Sequence, residues 1–440
     1  MSELRVRGGT VLAPGGPVRS DVFVAEGRIV SVRAVVGTTG QEHDGPDGRI
    51  ENGTVGAGAE RSVVDAPVQD DADPAAGART PVAGGVPGRR SGAGDDAVEH
   101  LEATDLLVAP GFIDLQCNGA VGVDLTSEPD RLGEVAAVLP RWGVTSWLPT
   151  VVTAAPSARA RALAALAAFA DPTAAVPLGL HLEGPFLAPE RRGAHDPAHL
   201  SPPSVDLVID EGWTIDAGIA LVTLAPELPG ALDVVRALVT RGVRVAAGHS
   251  SSTAAQAESA LDAGVTYVTH LFNAMAPMHH REPGLAGVAL TDGRARVGLI
   301  ADGVHVDPVV VRLAAAALGD RLSLVTDAIA ALGGPPGAGS LGSLTVDVGT
   351  DLSVRLADGT LAGSTLTLDR AVRNAMAFAG LDLADAVRAV TATPASVLGL
   401  ADRGAVVAGA VADLVLLTPA AEVVATVVGG RVVHDVRRAA

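Results

Sequence analysis

Four ionisable side chains follow apolar runs at points where buried strands would end. They are Glu183, His249, His270 and Asp327. One carboxylate and two imidazoles can hold a catalytic divalent metal and leave a coordination position open for water. An aspartate facing that water could act first as a general base and then as a general acid. The set therefore indicates metal-assisted hydrolysis.

Each member of this set also has a structural interpretation. A single histidine at a strand end is more often a hydrogen-bonded core residue than a metal ligand. Asp327 could equally form a buried salt bridge. Two histidines and a glutamate on separate strand ends, with an aspartate on another, favour the metal site over these alternatives. The hypothesis depends on the constellation and not on any one residue.

Eight short apolar segments, separated for the most part by helical patterns, predict a (β/α)8 barrel of the TIM type within the α/β class. We place this barrel at residues 110–400. Functional side chains of such barrels lie at the carboxyl ends of the strands, which is where the four candidates stand. The predicted strands are 111–115, 144–151, 178–182, 220–224, 243–247, 267–271, 296–300 and 322–326.

Both ends of the chain alternate short Val- and Ile-rich runs with Gly and Pro turns, which is typical of small antiparallel strands. Residues 1–36, 97–109 and 401–440 are therefore predicted to form one small β-sandwich domain. The segment 37–96 is rich in Gly, Asp, Pro and Ala and too poor in apolar side chains to offset its ordering entropy. We predict a disordered insertion there, with a cryptic binding motif as the alternative.

The composition excludes several classes of function. A net charge of −18 argues against nonspecific binding to nucleic acid or to anionic membranes. Apolar windows are interrupted well before the roughly 20 residues needed to span a bilayer. A single cysteine and the lack of an apolar signal segment in residues 1–9 predict a cytoplasmic protein. The sequence has no lysine, so lysine Schiff bases and carboxylated lysines are excluded.

Eight motifs between residues 181 and 367 occur together in a recognisable order. They are HLEGPFL, GAH, GHS, THLFNAM, REPGLAG, ADGVHVD, LVTDA and LAGSTLT. Together they resemble the N-acetylglucosamine-6-phosphate deacetylases, a family of the amidohydrolase superfamily. The resemblance extends almost continuously over the barrel and includes the terminal strands, and only 37–96 lies outside it.

The resemblance implies hydrolysis of N-acetylglucosamine 6-phosphate to glucosamine 6-phosphate and acetate, a step of amino-sugar catabolism and recycling. The sequence does not resolve a sugar epimer, because the partner of one hydroxyl can come from any loop. N-acetylgalactosamine 6-phosphate, or a related N-acyl or cyclic amide, therefore stays an alternative substrate. A sugar-phosphate-binding barrel without catalytic activity is a third hypothesis.

The resemblance also assigns individual roles. Glu183, His249 and His270 match metal ligands, and Asp327 matches the catalytic acid and base. His195 matches a residue that contacts and polarises the acetyl carbonyl.

Further positions match substrate contacts. The counterpart of Arg281 reaches the phosphate from the neighbouring subunit, so the resemblance implies a homodimer. A planar guanidinium suits a phosphate monoester in a chain without lysine, and Arg191 and Arg192 are competing candidates. The positions that match contacts to the phosphorylated sugar are Asn273, Ala274, Arg281 and His305.

The end of the first predicted strand bears on the number of metal ions. Many amidohydrolases carry two histidines there, whereas this chain has Gln116 and Asn118, and amides are poor ligands beside imidazole. We therefore predict one divalent ion, with zinc favoured and iron or cobalt as alternatives. Cys117 should point away from its neighbours into the core, with a metal-bound thiolate as the alternative. His181 shares the face of Glu183, either as a partner of the site or as a core residue.

Overall fold

The computed structural model describes residues 3–13, 15–35, 98–335, 337–351 and 353–438. The predicted insertion 37–96 lies outside the described residues. In chain order the strands are β1 (Leu4–Ala13), β2 (Gly16–Ala25), β3 (Arg28–Ala34), β4 (Glu99–Glu102), β5 (Leu107–Pro110), β6 (Phe112–Cys117), β7 (Gly119–Ala120), β8 (Val123–Asp124), β9 (Val144–Val152), β10 (Val176–Pro177), β11 (Leu180–Glu183), β12 (Ile219–Leu224), β13 (Arg244–Ala247), β14 (Tyr267–Val268), β15 (Arg296–Leu299), β16 (Leu322–Leu324), β17 (Gly337–Leu341), β18 (Leu344–Val348), β19 (Val354–Arg355), β20 (Leu414–Leu417), β21 (Val423–Val428) and β22 (Arg431–Asp435).

Helices alternate with the strands over the central part of the chain. They are α1 (Leu132–Val138), α2 (Pro156–Ala168), α3 (Val205–Asp210), α4 (Ala231–Thr240), α5 (Ala254–Ala263), α6 (Gly284–Thr291), α7 (Pro308–Leu318), α8 (Leu368–Ala379), α9 (Leu383–Arg388) and α10 (Ala392–Leu398). Short 3₁₀ turns cover Pro129–Arg131, Leu139–Trp142, Pro189–Arg191, Pro197–His199 and Gly319–Arg321. No helix within the described ranges is long and apolar enough to cross a bilayer.

The barrel is built from β6, β9 and β11 to β16, paired in parallel in that order. Backbone bonds from Asp327 N to Gln116 O (2.9 Å) and from Asn118 N to Ala328 O (2.7 Å) connect the end of the eighth strand back to the first. The predicted barrel is therefore confirmed. β14 is shorter than its predicted segment, because the chain turns at His270, where φ is positive.

Local sequence explains the helices around the barrel. On α4, Ala231, Val234, Val235 and Leu238 are buried, and this spacing places them on one apolar face toward the strands. α5 begins with a capping box, in which Thr253 and Gln256 satisfy each other's backbone N–H groups. The helices therefore cover the barrel wall and leave its carboxyl ends to the loops.

Strands from both ends of the chain form the second large sheet, as the sequence predicts. Its order is β22, β21, β20, β5, β1, β2 and β3, and β4 pairs with β1. The bond from Ile29 N to Ala410 O (2.9 Å) links β3 to the segment before β20. Both halves of the sheet thus bury one core that includes Val6, Val24, Leu101 and Leu416.

A small sheet of β17, β18 and β19 follows the last barrel strand. Asp124 accepts a bond from Gly342 N (2.7 Å), and Ser343 Oγ donates to Asp196 (2.9 Å), so two barrel loops hold the β17–β18 turn. Leu341 and Arg355 of this sheet reach the cavity at the carboxyl ends of the barrel strands. The small sheet therefore forms part of the wall of that cavity.

A row of hydrogen-bonded polar side chains, which we call the interior chain, crosses the inside of the barrel. His181 Nδ1 lies 3.4 Å from Thr150 Oγ1, and His181 Nε2 lies 2.7 Å from Thr223 Oγ1. Thr223 Oγ1 lies 2.7 Å from Thr269 Oγ1. All four side chains are buried. His181 is two residues before Glu183 on β11, so the interior chain lies one layer deeper than the strand ends.

Candidate active site

Three side chains meet at the carboxyl ends of the barrel strands, and we call them the ligand cluster. Glu183 ends β11, His249 follows β13 and His270 follows β14. Glu183 Oε1 lies 3.2 Å from His249 Nε2 and 3.0 Å from His270 Nε2, and the two nitrogens are 3.1 Å apart. All three residues are buried. Three atoms with lone pairs at such distances require a shared cation or proton between them.

The orientation of His249 fits the ligand cluster to a metal ion. Its Nδ1 lies 2.9 Å from the carbonyl oxygen of Arg191, which can only accept a hydrogen bond. The Nδ1 proton is therefore fixed, and the lone pair of Nε2 is directed toward Glu183. Metal-bound histidines are held by this kind of outer hydrogen bond. Within the described residues, this is the cluster of histidine, cysteine, aspartate or glutamate side chains that could hold an ion.

The backbone at these positions has unusual conformations. Five nearby residues other than glycine have positive φ, a region that non-glycine residues seldom occupy. Such conformations concentrate at functional sites, where the surrounding structure maintains them against their conformational energy. Here they turn the chain sharply after the strand so that the side chains face the cavity. The five are His249 (50°), His270 (26°), Phe272 (75°), Ala274 (51°) and Asp327 (49°).

Asp327 lies beside the ligand cluster and is held by two amides. Gln116 Nε2 donates to Asp327 Oδ1 (3.0 Å) and to Glu183 Oε1 (2.9 Å). Asn118 Nδ2 donates to the same Oδ1 of Asp327 (2.8 Å). Both amides hold one carboxylate oxygen, so the other oxygen is the one that can take a proton. In addition, Ser364 N donates to the backbone oxygen of Asp327 (2.8 Å).

The two carboxylates of the site have opposite pKa shifts. Burial raises the pKa of Asp327 to about 6, with the charge of Glu183 as the next cause. Burial alone would also raise the pKa of Glu183, but the neighbouring imidazoles of His195, His249 and His270 hold it well below its usual range. Burial lowers the pKa of His249 to about 4, which keeps its ring neutral, as a ligand must be. Two carboxyl groups whose pKa values are shifted apart in this way are typical of acid–base sites.

His195 lies on the loop after β11 and completes the polar wall of the site. Its Nε2 is 3.6 Å from Glu183 Oε2, and its ring packs edge-on against His249 with a centroid distance of 4.6 Å. Its side chain is buried. The sequence predicted His195 as a carbonyl contact, and the structure places it within reach of any group bound at the ligand cluster.

The cavity above these residues has a volume of 560 Å³. Asn273, Ala274 and His305, which the sequence predicted as substrate contacts, line it together with the ligand cluster, His195 and Asp327. Arg281 is outside this lining, is exposed to solvent and contacts His280 at 2.9 Å. The structure therefore brings together every predicted site residue except Arg281.

Three further contributors were missed by sequence reasoning. Thr153 directly follows β9 and contacts His195, and its place at a strand end was a usable signal. Glu227 accepts a bond from Ser250 Oγ (2.7 Å) and so supports the loop that carries His249. Arg355 lines the cavity from β19, and no local pattern indicated which part of the barrel this small sheet would cover.

Two predicted alternatives are decided by these contacts. Cys117 is fully buried, its Sγ lies 3.6 Å from Gly119 O, and burial raises the pKa of its thiol well above the ordinary value. It is therefore a core residue and remains protonated. His181 belongs to the interior chain, and burial lowers its pKa to about 4, so it is a neutral core histidine.

Comparison with known proteins extends these observations. A model of the amidohydrolase family matches residues 107–433. The chain is 40% identical over 350 residues to the human N-acetylglucosamine-6-phosphate deacetylase, covering 77% of this chain and 86% of that protein. It is 41% identical over 301 residues to the N-acetylgalactosamine-6-phosphate deacetylase of Escherichia coli O157:H7, covering 67% and 78%.

A solved structure gives the same result at the level of the fold. It is a mutant N-acetyl-D-glucosamine-6-phosphate deacetylase from Mycobacterium smegmatis in complex with N-acetyl-D-glucosamine 6-phosphate. The TM-score is 0.77 and the sequence identity 32%, with 98% of this chain and 100% of that chain covered. The similarity thus extends over both the barrel and the terminal sheet.

Proposed function

The chain belongs to the amidohydrolase family, and we propose that it hydrolyses the acetamide of N-acetylglucosamine 6-phosphate to glucosamine 6-phosphate and acetate. The observation that carries this proposal is the arrangement of Asp327, with its raised pKa, beside the buried ligand cluster in one cavity. The identity of 37 to 40% to animal deacetylases of this substrate supports the same reaction.

The roles of the side chains follow from their chemistry. A divalent ion held by Glu183, His249 and His270 would lower the pKa of a water molecule and polarise a carbonyl. Asp327 accepts the proton of the attacking water and later returns it to the leaving amine. His195 contacts the acetyl oxygen and stabilises the negative charge that develops there. Gln116 and Asn118 keep Asp327 in place through both proton transfers.

We favour a single zinc ion at the ligand cluster. Two imidazoles and one carboxylate leave a coordination position for water, as in catalytic zinc sites. The amides of Gln116 and Asn118 donate their hydrogens to carboxylates, so they are engaged as donors at the place where other amidohydrolases have two histidines. Iron and cobalt are the alternative ions, and elemental analysis of the purified protein distinguishes them.

The decisive experiment measures acetate release from N-acetylglucosamine 6-phosphate by protein of known metal content. Glu183→Gln is the matched control, because it removes a ligand charge without changing the size of the side chain. We expect the variant to lose both bound metal and turnover. Turnover at the wild-type rate in a metal-free variant would contradict the proposal.

The galactosamine epimer is the alternative substrate, because the chain is 41% identical over 301 residues to the Escherichia coli N-acetylgalactosamine-6-phosphate deacetylase. The kcat/KM values for the two phosphorylated epimers and for unphosphorylated N-acetylglucosamine rank the possibilities. We expect the phosphorylated glucosamine derivative to be preferred and the unphosphorylated sugar to be poor. A higher value for the galactosamine derivative would reverse the assignment.

We propose that Arg281 reaches the phosphate of a substrate bound to the neighbouring subunit of a homodimer. In one chain its side chain is exposed and outside the cavity, so it needs a second chain to reach a substrate. Arg281→Ala and Asp327→Asn, each inactive alone, should regain activity when coexpressed, because one site of each mixed dimer is then complete. An inactive mixture of dimers would show that Arg281 is not shared.

A further inference from the structure

His195 has its tautomer fixed by the backbone of the neighbouring strand end. Thr153 N donates to His195 Nδ1 at 3.2 Å, and a backbone N–H can only donate. The lone pair of the ring is therefore on Nδ1, and the proton of the neutral imidazole is on Nε2. That Nε2 is the atom 3.6 Å from Glu183 Oε2. His195 thus presents a hydrogen-bond donor to the site.

The Thr153 side chain packs against the same ring. Its Oγ1 is 2.9 Å from His195 Nδ1 and 3.1 Å from the backbone oxygen of Glu183, and its one hydrogen can go to either of them. A Cβ at Gly184 would lie 2.2 Å from this Oγ1, so a glycine at this position leaves room for the hydroxyl. Gly184 also has a φ of 93°, which favours glycine. Thr153 is thereby packed between the strand end of Glu183 and the ring of His195.

His305 is held in the opposite way. Its Nδ1 lies 2.7 Å from Asp302 Oδ2, and Asp302 Oδ1 accepts bonds from Val304 N and His305 N, both at 2.8 Å. Burial would raise the pKa of Asp302, but the hydrogen bond from His305 holds it below its usual range. The ionised carboxylate can only accept, so the proton of the ring is on Nδ1. A ring that carries only this proton turns an acceptor, Nε2, toward the cavity that it lines.

We propose that Thr153 and Asp302 are positioning residues that fix His195 and His305 in opposite tautomers, one a donor and the other an acceptor. This inference rests on the proposed function for its ligand. The donor at His195 matches the acetamide oxygen, which gains negative charge on attack. The acceptor at His305 matches a hydroxyl hydrogen of the sugar. The site would then bind the acetamide oxygen of an N-acetyl sugar with a donor and a sugar hydroxyl with an acceptor.

The direct test is nitrogen NMR of zinc-loaded protein labelled with ¹⁵N-histidine, assigned with single-histidine variants. Protonated and unprotonated ring nitrogens have distinct shifts, so each tautomer is read without substrate or turnover. We expect His195 to carry its proton on Nε2 and His305 on Nδ1 at neutral pH. A proton on His195 Nδ1, or a proton on His305 Nε2, including a doubly protonated His305, would overturn the proposal.

Asp302→Asn tests the acceptor role. The new side chain keeps an oxygen for Val304 N and His305 N, but it turns an N–H₂ group toward His305 Nδ1 and so forces the proton to Nε2. The sugar hydroxyl would then have to accept from Nε2 instead of donating to it, in both ground and transition states, which should lower kcat/KM about 10- to 100-fold, mainly through KM. Asp307→Asn is the matched control, because it caps α7 at Val309 N as well as aspartate does.

The outcomes separate this inference from the proposed function. Wild-type protein that releases no acetate would refute the proposed function. The NMR measurement would still decide the two tautomers independently of that result. A shifted His305 proton in Asp302→Asn with unchanged KM would refute the acceptor role. An unshifted proton would refute the role of Asp302. Asp307→Asn should match wild type in both measurements.

Discussion

The interior chain and the ligand cluster are two groups of buried polar side chains in adjacent layers of one barrel. In the interior chain each imidazole nitrogen of His181 faces a threonine hydroxyl, and hydroxyls can donate or accept as needed. In the ligand cluster three atoms with lone pairs converge on one point. Both groups are buried and both contain histidine. The match of donors to acceptors separates a structural group from a functional one.

The largest effect is expected when Asp327 can no longer accept a proton. Asp327→Asn keeps the oxygen held by Gln116 and Asn118 but cannot take a proton from water. We expect kcat for acetate release to fall roughly 10²- to 10⁴-fold, the range typical of general acid–base groups. Substrate affinity, measured by calorimetry, should stay near the wild-type value. Wild-type turnover in this variant would remove Asp327 from the mechanism.

The pH dependence of turnover should report the same carboxyl. The pKa of Asp327 is raised to about 6, so the group takes up a proton as the pH falls through that value. The protonated form cannot act as a base, so kcat/KM should fall roughly tenfold per pH unit on the acid side. A bound cation opposes protonation, so the midpoint should lie at or below about pH 6. Rates that stay flat down to pH 4 would argue against an aspartate base.

A smaller and different effect is expected in the interior chain. His181→Leu leaves the hydroxyls of Thr150 and Thr223 without their ring partner, which should destabilise the fold by about 1–3 kcal/mol. Urea denaturation of the variant and wild type measures this difference. The metal content of the purified variant should equal that of wild type. Loss of metal would mean that the two layers do not act separately.

The smallest effect is expected at Cys117. Its thiol is fully buried and its pKa is well above the ordinary value, so the native protein should not react with thiol reagents until it is denatured. Cys117→Ala should retain acetate release within about twofold and lose about 1 kcal/mol of stability. A reactive thiol in the native protein, or reduced metal content in the variant, would point to a thiolate ligand.

The sequence allowed the barrel and the ligand cluster to be predicted because apolar runs end where the strands end. Glu183, His249 and Asp327 each follow such a run, and parallel strands bring their carboxyl ends to one edge. The turn at His270 was not visible, because a positive φ leaves no compositional trace in a residue other than glycine. The bridging bonds of Gln116 depend on the register of three strands, which no single segment encodes.

The small sheet after the last barrel strand limited the remaining predictions. Arg355 reaches the cavity from this sheet, and its local sequence does not say which part of the barrel the sheet covers. Thr153 could have been singled out, since it directly follows a strand. The action of Thr153 and Asp302 on the two histidines depends on side-chain direction within about an ångström, which spacing alone does not provide.

The pairing of β5 with β20 has a consequence for how the chain folds during synthesis. Pro110 pairs with Leu414, about three hundred residues later in the chain. The first strands therefore leave the ribosome long before the partners that cover their apolar side, and the whole barrel is made in the interval. Contacts of such large sequence separation form slowly and expose surfaces prone to aggregation. We therefore expect the terminal sheet to be completed only after the barrel strands have been synthesised.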